Sequence, residues 1–284
     1  MNINDLSQMN NLKNLAVLCK ISYKLTESQN YMPKLHEVDE INMLASISNK
    51  FEIIKSIMMN TRAITTTSHD GKILYIAIAG SDDISDFISD LDMNHVRPNI
   101  EHIEEIRFHE GFYKQFKGLL IDFKKRIDAF VLQGGNTVYI TGHSSGGCIA
   151  SILAYYLKKI NKIDGINNID LKVVTFGSPF FTNKYGSLWF SNNIDYTRIE
   201  LDKDPIPNIP AFAKNIKINR EYLPLYFHIE RNHILISRHT IILNSQKTTK
   251  LTLYNFLNLL FKKRLNLKHH KIDSYISKLK ITKL

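Results

Sequence analysis

Residues 137–157 read TVYITGHSSGGCIASILAYYL, and this stretch decides the fold class. Its first five residues are β-branched or aromatic, which is typical of a strand buried on both faces. The next residues contain G-x-S-x-G, the pattern of a nucleophile elbow, in which a sharp strand-to-helix turn exposes a serine hydroxyl above the sheet. Glycines flank that serine because a Cβ there would collide with the adjacent strand or helix. The stretch predicts Ser144 as a nucleophile, the alternative being an ordinary glycine-rich turn.

Strands and helices alternate on both sides of this stretch. Near-continuous apolar runs predict strands at 72–79, 137–141, 171–176 and 197–201, and apolar stripes predict helices at 12–25, 113–132 and 149–160. The alternation predicts an α/β fold with a predominantly parallel central sheet flanked by helices. Neither an internal repeat nor a linker rich in Pro, Gly and Ser is present, so we expect a single domain over residues 1–284.

The composition excludes several classes of protein. The chain has 284 residues, of which 44% are hydrophobic and 23% charged, as in globular proteins and unlike collagenous or disordered chains. Cys19 and Cys148 are too few for a disulfide framework or a four-thiolate zinc site. The eleven histidines show no H-E-x-x-H pattern, so metal-dependent hydrolysis is disfavoured. We expect no metal and no cofactor.

Positive charge is concentrated at the C-terminal end. Residues 247–284, a predicted basic helical segment, contain nine Lys and one Arg against one Asp, a net +9 of the whole chain's +10. A solvated helix face is the ordinary explanation of such a run. Peripheral contact with an anionic membrane is the alternative, because each basic residue near such a surface contributes about 1 kcal/mol. No nucleic-acid partner is expected, since no recognised binding module accompanies the patch.

No segment predicts membrane insertion or export. Residues 1–14 lack an apolar core of the kind that secretory signals contain. The longest apolar candidate, 251–261, is shorter than the roughly 18 residues that a spanning helix needs. The expected location is cytoplasmic or peripheral to a membrane.

Five segments resemble, in family order, the class 3 (fungal-type) lipase family of the α/β-hydrolases. They are the elbow block 137–157, RFHEGFYKQF (107–116), VVTFGSPFFTN (173–183), DPIPNIP (204–210) and IAIAGSDDISDFISDL (76–91). The resemblance extends over about residues 12–279. It implies a cofactor-free serine ester hydrolase that cleaves acyl esters of lipids, in the manner of a triacylglycerol lipase, through an acyl-enzyme. The chain departs from the family where Ala79 and Phe180 replace Arg, Phe87 replaces Trp and Ser145 replaces Leu.

Asp204 is the candidate catalytic acid. Enzymes of this superfamily carry the triad in the chain order Ser, Asp or Glu, His. Asp204 directly follows a predicted strand and opens the segment that resembles the family's acid-bearing segment. Glu200 and Asp202 lie on or at the end of that strand and are less favoured. The alternative role for Asp204 is to begin a proline-rich turn.

The candidate base is one of five histidines that follow Asp204: His228, His233, His239, His269 and His270. His270 is favoured, because a helical stripe begins at Ile272 and because Tyr275 follows five positions later, as a tyrosine commonly does in the family. His239 is the second choice. His233 and His239 belong to an alternating, hairpin-like stretch, and His228 is interpreted as structural.

Two residues are expected to form the oxyanion hole. The backbone N–H of Ser145, the residue after the nucleophile, should be one donor. By resemblance Ser81, which follows Gly80 at the end of a predicted strand, supplies the other. Ser81 could equally cap a helix, and the two roles are compatible.

A short amphipathic helix is predicted directly after Ser81. Acidic side chains at positions 82, 83, 86 and 90 alternate with an apolar face formed by Ile84, Phe87, Ile88 and Leu91. It is interpreted either as an ordinary surface helix or as a lid that covers the acyl site in water.

Two other functions compete with the lipase interpretation. A phospholipase A1 is the nearest alternative enzyme, and the basic C-terminal segment would suit anionic lipid. A catalytically degenerate lipid- or membrane-binding module is the alternative from another class. The complete set Ser144, Asp204 and His270 argues against the second.

Overall fold

The computed structural model describes residues 6–27, 32–34, 36–48, 50–56, 59–81, 95–98, 105–163, 169–208, 216–218, 221–223, 227–229, 231–237, 241–243 and 267–281. The helices are α1 (Leu6–Glu27), α2 (Val38–Ser46), α3 (Glu110–Leu132), α4 (Ser145–Ile163), α5 (Lys184–Asn193) and α6 (Ile272–Ile281), with short 3₁₀ helices at Ile206–Asn208 and Leu267–His270. The strands are β1 (Glu52–Ser56), β2 (Thr61–Thr67), β3 (Ile73–Ile78), β4 (His95–Val96), β5 (Phe108–His109), β6 (Thr137–His143), β7 (Asp170–Phe176), β8 (Asp195–Leu201), β9 (Ile216–Ile218), β10 (Glu221–Leu223), β11 (His233–Ile236) and β12 (Ile241–Leu243).

Eight of these strands form the central sheet, in the order β1-β2-β3-β6-β7-β8-β11-β12. The five strands in its middle, β3, β6, β7, β8 and β11, pair in parallel. Antiparallel strands close both edges, with β1 and β2 beside β3 and with β12 beside β11. The predicted α/β class with a predominantly parallel sheet is confirmed.

The central strands are buried on both faces, as their sequences predict. In β3, Leu74, Ile76 and Ile78 belong to one core cluster and Tyr75 and Ala77 to the other. Successive side chains of a strand point to opposite faces, so one short strand contributes to both cores. A continuous apolar run is therefore required here.

Each face of the sheet is covered by helices. On one face lies α4, together with the apolar stripe of α3, namely Phe112, Phe116, Leu119, Phe123, Ile127 and Phe130. On the other face, side chains of α1, α2 and α6 share a second core cluster. Gly134 ends α3 with φ +81° and donates its N–H to the Val131 carbonyl, as the Gly134-Gly135 pair predicts.

Ion pairs join the first and last described helices. Lys20 of α1 lies 2.9 Å from Asp273 of α6 and 2.6 Å from Glu40 of α2, and Glu40 is buried. Lys280 of α6 pairs with Asp39 of α2. These contacts and the shared apolar core hold α6 against α1.

Several predicted boundaries differ from the observed ones. The β1–β2 pair was not predicted, because its short strands mix charged and polar residues with apolar ones and turn through Asn60 at φ +45°. The helix predicted to begin at Ile149 begins at Ser145, since the elbow leads directly into α4. His270, expected just before a helix that begins at Ile272, lies at the end of a 3₁₀ helix.

Two predicted features lie outside the described residues. They are the amphipathic helix with Ile84, Phe87, Ile88 and Leu91, and the part of the basic segment that precedes residue 267. Of the helices that are described, none combines the length and the apolar character needed to cross a bilayer.

Candidate active site

Four site segments follow the carboxyl ends of neighbouring parallel strands. Ser81 follows β3, Ser144 follows β6, Gly177 follows β7 and Asp204 follows β8. Parallel strands bring their carboxyl ends to the same edge of a sheet, where open α/β folds place their ligands. The topology therefore assembles residues that are far apart in the sequence.

Ser144 lies in a strained turn between β6 and α4. Its φ is +57°, a left-handed conformation that a non-glycine residue seldom adopts. Its N–H donates to the Phe176 carbonyl at 3.0 Å, which fixes the turn against β7. A Cβ on Gly146 would collide with the Ile78 carbonyl, and one on Gly142 would collide with the backbone of Gly146. The two flanking glycines are thus required by close backbone approach.

Asp204 and His270 form a buried pair. His270 Nδ1–H donates to Asp204 Oδ2 at 2.8 Å, and the Tyr275 hydroxyl donates to the same oxygen at 2.6 Å. The N–H of Ile206 donates to Asp204 Oδ1 at 2.9 Å. Burial and the Asp204 charge raise the pKa of Tyr275 well above its usual value, so the phenol keeps its proton. Three donors thus converge on one carboxylate.

This arrangement fixes the tautomer of His270. A neutral imidazole that donates from Nδ1 presents a lone pair on Nε2. The His270 ring lies 4.6 Å, between ring centroids, from that of His143, the residue before Ser144. His270 Nε2 and Ser144 Oγ are both buried, and neither has a hydrogen-bond partner among the residues that the structure describes. An unliganded site often leaves its nucleophile–base hydrogen bond unformed.

Gly177 is a site residue to which the sequence analysis assigned no role. Its φ is +57°. A Cβ there would lie 2.7 Å from the Tyr275 hydroxyl, 2.8 Å from Asp204 Oδ2 and 3.2 Å from His270 Cε1. The acid–base pair therefore packs directly on the Gly177 backbone. A glycine immediately after a strand was the available signal.

Gly177→Ala should lower kcat for ester hydrolysis by about 10²-fold, because the methyl group displaces the acid and the base, and small misplacements carry a cost of this size. Gly71→Ala is the matched control, since Gly71 has φ +70° with nothing within 4 Å of an added Cβ. Both variants should lose about 1 kcal/mol of stability from the positive φ. Only Gly177→Ala should lose activity. Equal kcat values for the two variants would contradict this assignment.

A second hydrogen-bond network connects α1 to the elbow. His143 Nε2–H donates to the His270 carbonyl at 2.6 Å, and the Tyr23 hydroxyl donates to His143 Nδ1 at 2.9 Å. The Gly80 N–H donates to the Tyr23 oxygen at 2.9 Å. Burial, with the nearby His270, holds the pKa of His143 well below its usual value, which keeps the ring neutral as this network requires. Tyr23 was not predicted, because no local pattern connects it to the elbow.

The two residues predicted for the oxyanion hole lie in contact. The Ser81 N–H donates to Ser145 Oγ at 3.0 Å, and the two hydroxyl oxygens lie 3.4 Å apart. Ser145 is the first residue of α4 and is buried. The N–H groups of the first helical turn have no partner within their own helix, so the Ser145 N–H is available for a ligand.

The other candidate histidines lie elsewhere. His233 on β11 contacts Glu200 at 3.1 Å, and Glu200 pairs with Arg198. His228 donates from Nε2 to the Pro207 carbonyl at 2.7 Å and stacks on Phe180 with a 3.7 Å centroid separation. Of the remaining candidates and the rival acid, His269 is partly exposed, His239 lies outside the described residues and Asp202 is exposed.

His228, whose side chain is 12% exposed, makes folding sensitive to acid. Burial, assisted by the Arg198 charge, lowers the pKa of His228 from 6.5 to about 3. Below pH 6.5 His228 is therefore protonated in the unfolded chain but stays neutral in the folded chain. The free energy of unfolding falls as the pH is lowered towards 3. Between pH 7.5 and 5.5 this group should remove about 1.4 kcal/mol from the free energy of unfolding.

Urea unfolding at the two pH values tests this expectation. His228→Gln, whose amide can still donate to Pro207, should show a decline that is smaller by about 1.4 kcal/mol. His36→Gln, at an exposed position, is the control and should decline like the wild type. An unchanged decline in His228→Gln would show that His228 is not the acid-sensitive group.

Comparison with known protein families gives a match over the middle of the chain. The family model described as Lipase (class 3) matches residues 75–214, which run from β3 through the elbow to beyond Asp204. The chain is similar to the class 3 lipase family over these 140 residues, about half of its length. The family match thus covers Ser81, Ser144, Ser145 and Asp204, whereas His270 lies beyond it.

Two curated relatives share about a quarter of the aligned residues with this chain. A lipase of Rhizomucor miehei is 26% identical over 167 residues, which are 57% of this chain and 45% of the relative. A secreted mono- and diacylglycerol lipase of Fusarium solani is 24% identical over 157 residues, which are 53% of this chain and 43% of the relative. The chain thus matches less than half the length of these curated relatives.

A solved structure of lipase II from Rhizopus niveus superimposes on the chain with a TM-score of 0.69. The superposition covers 89% of this chain and 91% of that one, at 17% identity. At this identity the likeness shows a shared fold. That fold is the α/β-hydrolase fold that the elbow and the alternating elements predict.

Proposed function

We propose that the chain is a serine ester hydrolase that cleaves acyl esters of lipids, as a triacylglycerol lipase does. One observation carries the proposal. His270, held by Asp204, presents a buried Nε2 beside the elbow that carries the Ser144 hydroxyl, and neither atom has a hydrogen-bond partner within the described part of the chain. Acyl transfer by a serine needs an accessible hydroxyl, which the elbow supplies, and a positioned base with a free lone pair to take its proton.

The reaction follows from the donors and acceptors of these residues. His270 Nε2 takes the proton of the Ser144 hydroxyl while Oγ attacks the ester carbonyl carbon. Collapse of the tetrahedral intermediate breaks the bond to the alcohol, which leaves with the proton from Nε2. A water molecule then attacks the acyl-enzyme by the same path, releasing the fatty acid. Asp204 stabilises the imidazolium that forms in each half of the cycle.

The substrate class is supported by the family and by its named relatives. One curated relative is named a lipase and the other a mono- and diacylglycerol lipase. Phospholipase A1 activity is the second candidate, because the net +9 of residues 247–284 would attract anionic lipid. On either alternative the protein would be cytoplasmic or peripheral to a membrane.

The test combines hydrolysis with covalent labelling. The purified chain should hydrolyse short-chain p-nitrophenyl esters, and a p-nitrophenyl alkylphosphonate should inactivate it with one phosphonyl group on the Ser144 peptide. Emulsified triacylglycerol and anionic phospholipid vesicles, compared directly, separate lipase from phospholipase. Absence of hydrolysis and of labelling in all these conditions would favour the lipid-binding module instead.

A further inference from the structure

The hydroxyl of Ser145 is a feature that the family resemblance does not explain. The family commonly has leucine at this position, which can neither accept nor donate a hydrogen bond. Here Ser145 Oγ is buried and accepts the N–H of Ser81 at 3.0 Å. The N–H of Ser81, one of the two groups with which Ser81 could bind the oxyanion, is therefore already engaged by a neighbouring side chain.

The Ser81 N–H and the Ser145 hydroxyl each have one hydrogen to donate. A backbone N–H has one hydrogen, and that of Ser81 is directed at Ser145 Oγ. Ser145 Oγ, having accepted this bond, still carries its own hydrogen. Among the described residues, the other polar contact of this hydroxyl is to Ser81 Oγ, and at 3.4 Å it is long for an O–H···O hydrogen bond. The Ser145 O–H is thus only weakly held before substrate arrives.

The position of Ser145 suits it to bind an anion. It is the first residue of α4, so its N–H points out of the helix end, where the dipole favours negative charge. The N–H and O–H of one serine can reach the same oxygen. A hydroxyl that accepts a hydrogen bond also becomes a stronger donor, because successive hydrogen bonds polarise one another.

We propose that Ser145 is a catalytic residue whose hydroxyl donates a hydrogen bond directly to the oxyanion. The Ser81 N–H donates to the same hydroxyl oxygen and so strengthens it as a donor. The developing O⁻ is bound by the N–H and the O–H of Ser145, and the Ser81 N–H polarises that O–H. The proposal rests on the proposed ester hydrolysis. It differs from the family pattern, in which a leucine can offer only its backbone N–H.

The effect of removing the Ser145 hydroxyl on kcat distinguishes a hydroxyl that donates to the oxyanion from one that only blocks the Ser81 N–H. If the Ser145 hydroxyl merely occupied the Ser81 N–H, its removal would release a donor and kcat would rise. If the hydroxyl is itself the donor, its removal costs a transition-state interaction. In the proposed arrangement the freed Ser81 N–H does not replace it, because the Ser81 N–H acts on the oxyanion only through the Ser145 hydroxyl. Loss of one such donor lowers kcat by about 10²-fold or more in other hydrolases.

The experiment compares Ser145→Ala with Ser151→Ala on a p-nitrophenyl ester. Ser151 is a buried serine of the same helix whose hydroxyl bonds Tyr196 and the Gly147 carbonyl, so it matches the substitution without touching the site. Ser145→Ala should lower kcat by tenfold or more, with KM within about threefold of wild type. Ser151→Ala should leave kcat within about threefold. Melting temperatures show that each variant is folded.

A second measurement separates transition-state binding from a structural defect. An alkylboronic acid forms a tetrahedral adduct on Ser144 with a boron-bound oxygen in the oxyanion position. Its inhibition constant should rise in Ser145→Ala by the same factor by which kcat/KM falls, whereas inhibition by a neutral long-chain alcohol should not change. Ser145→Thr, which keeps the hydroxyl, should retain more activity than Ser145→Ala.

The outcomes distinguish this inference from the proposed function. If wild type hydrolyses the ester and Ser145→Ala loses less than tenfold in kcat, or gains, the hydroxyl is not an oxyanion donor and the proposed function stands. If the wild type neither hydrolyses esters nor reacts with the phosphonate, the proposed function itself fails. A kcat loss without weaker boronate binding would overturn the inference in favour of a structural role.

Discussion

Replacing Ser144 with alanine is expected to lower kcat for ester hydrolysis by about 10⁴-fold or more. Without the hydroxyl no acyl-enzyme forms, and the remaining rate comes from binding and the oxyanion donors alone. The fold should be unaffected, because Ser144 Oγ has no hydrogen-bond partner among the described residues and alanine loses no bond there. Initial rates on a p-nitrophenyl ester, with melting temperatures of both proteins, measure the two effects.

The control for this variant is Ser191→Ala, in α5. Among the described residues, the Ser191 hydroxyl donates to the Ser187 carbonyl of its own helix, so its removal should leave kcat within about threefold of wild type. Phosphonate labelling should disappear in Ser144→Ala and persist in Ser191→Ala. A Ser144→Ala protein that hydrolyses esters at the wild-type rate would place the nucleophile elsewhere.

Asp204→Asn should lower kcat by a comparable factor, about 10⁴-fold. The carboxylate accepts from His270, Tyr275 and Ile206, whereas an amide has one acceptor oxygen and brings donors into a site already occupied by donors. His270 would then accept at Nδ1 and carry its proton on Nε2. In that tautomer Nε2 cannot take the proton of Ser144.

Tyr275→Phe is the matched comparison for Asp204→Asn, because it removes one donor to the same oxygen and leaves the carboxylate in place. His270 keeps its tautomer, so we expect a loss of about tenfold or less in kcat. Rates for both variants from pH 5 to 9 measure the difference. If Asp204→Asn were as active as Tyr275→Phe, the orientation of His270 would not depend on the charge and acceptors of Asp204.

The centre of the fold could be predicted from sequence, because its information is local. In residues 137–157 a buried strand, a glycine-flanked turn and an apolar helix follow one another, and each has its own pattern. The strands at the edge of the sheet were harder to predict from sequence. β1 and β2 are short and mix apolar residues with Glu, Lys, Arg and Thr, so their pairing with β3 depends on contacts across the sheet.

Some residues of the candidate site could likewise be predicted from their neighbours in sequence, and others could not. Ser144 follows from its own neighbours, whereas His270 was chosen among five histidines only with the help of a family resemblance. Tyr23 lies 120 residues before His143, and nothing local marks that contact. Gly177 is recognised only when Asp204, His270 and Tyr275 are seen to pack against it. Long-range packing supplies what local patterns cannot.

The packing of α6 against α1 has a consequence for the order in which the protein is synthesised and folds. His270 and α6 follow Ser144 by more than 120 residues, a stretch that a ribosome needs about 6–25 s to translate. During that interval a nascent chain holds a completed elbow but no base, and the part of α1 that packs on α6 remains uncovered. Docking of α6 on α1, where Lys20 pairs with Asp273, is therefore the step that would complete the proposed triad. Until residues 267–281 have been made, the Ser144 elbow has no base beside it.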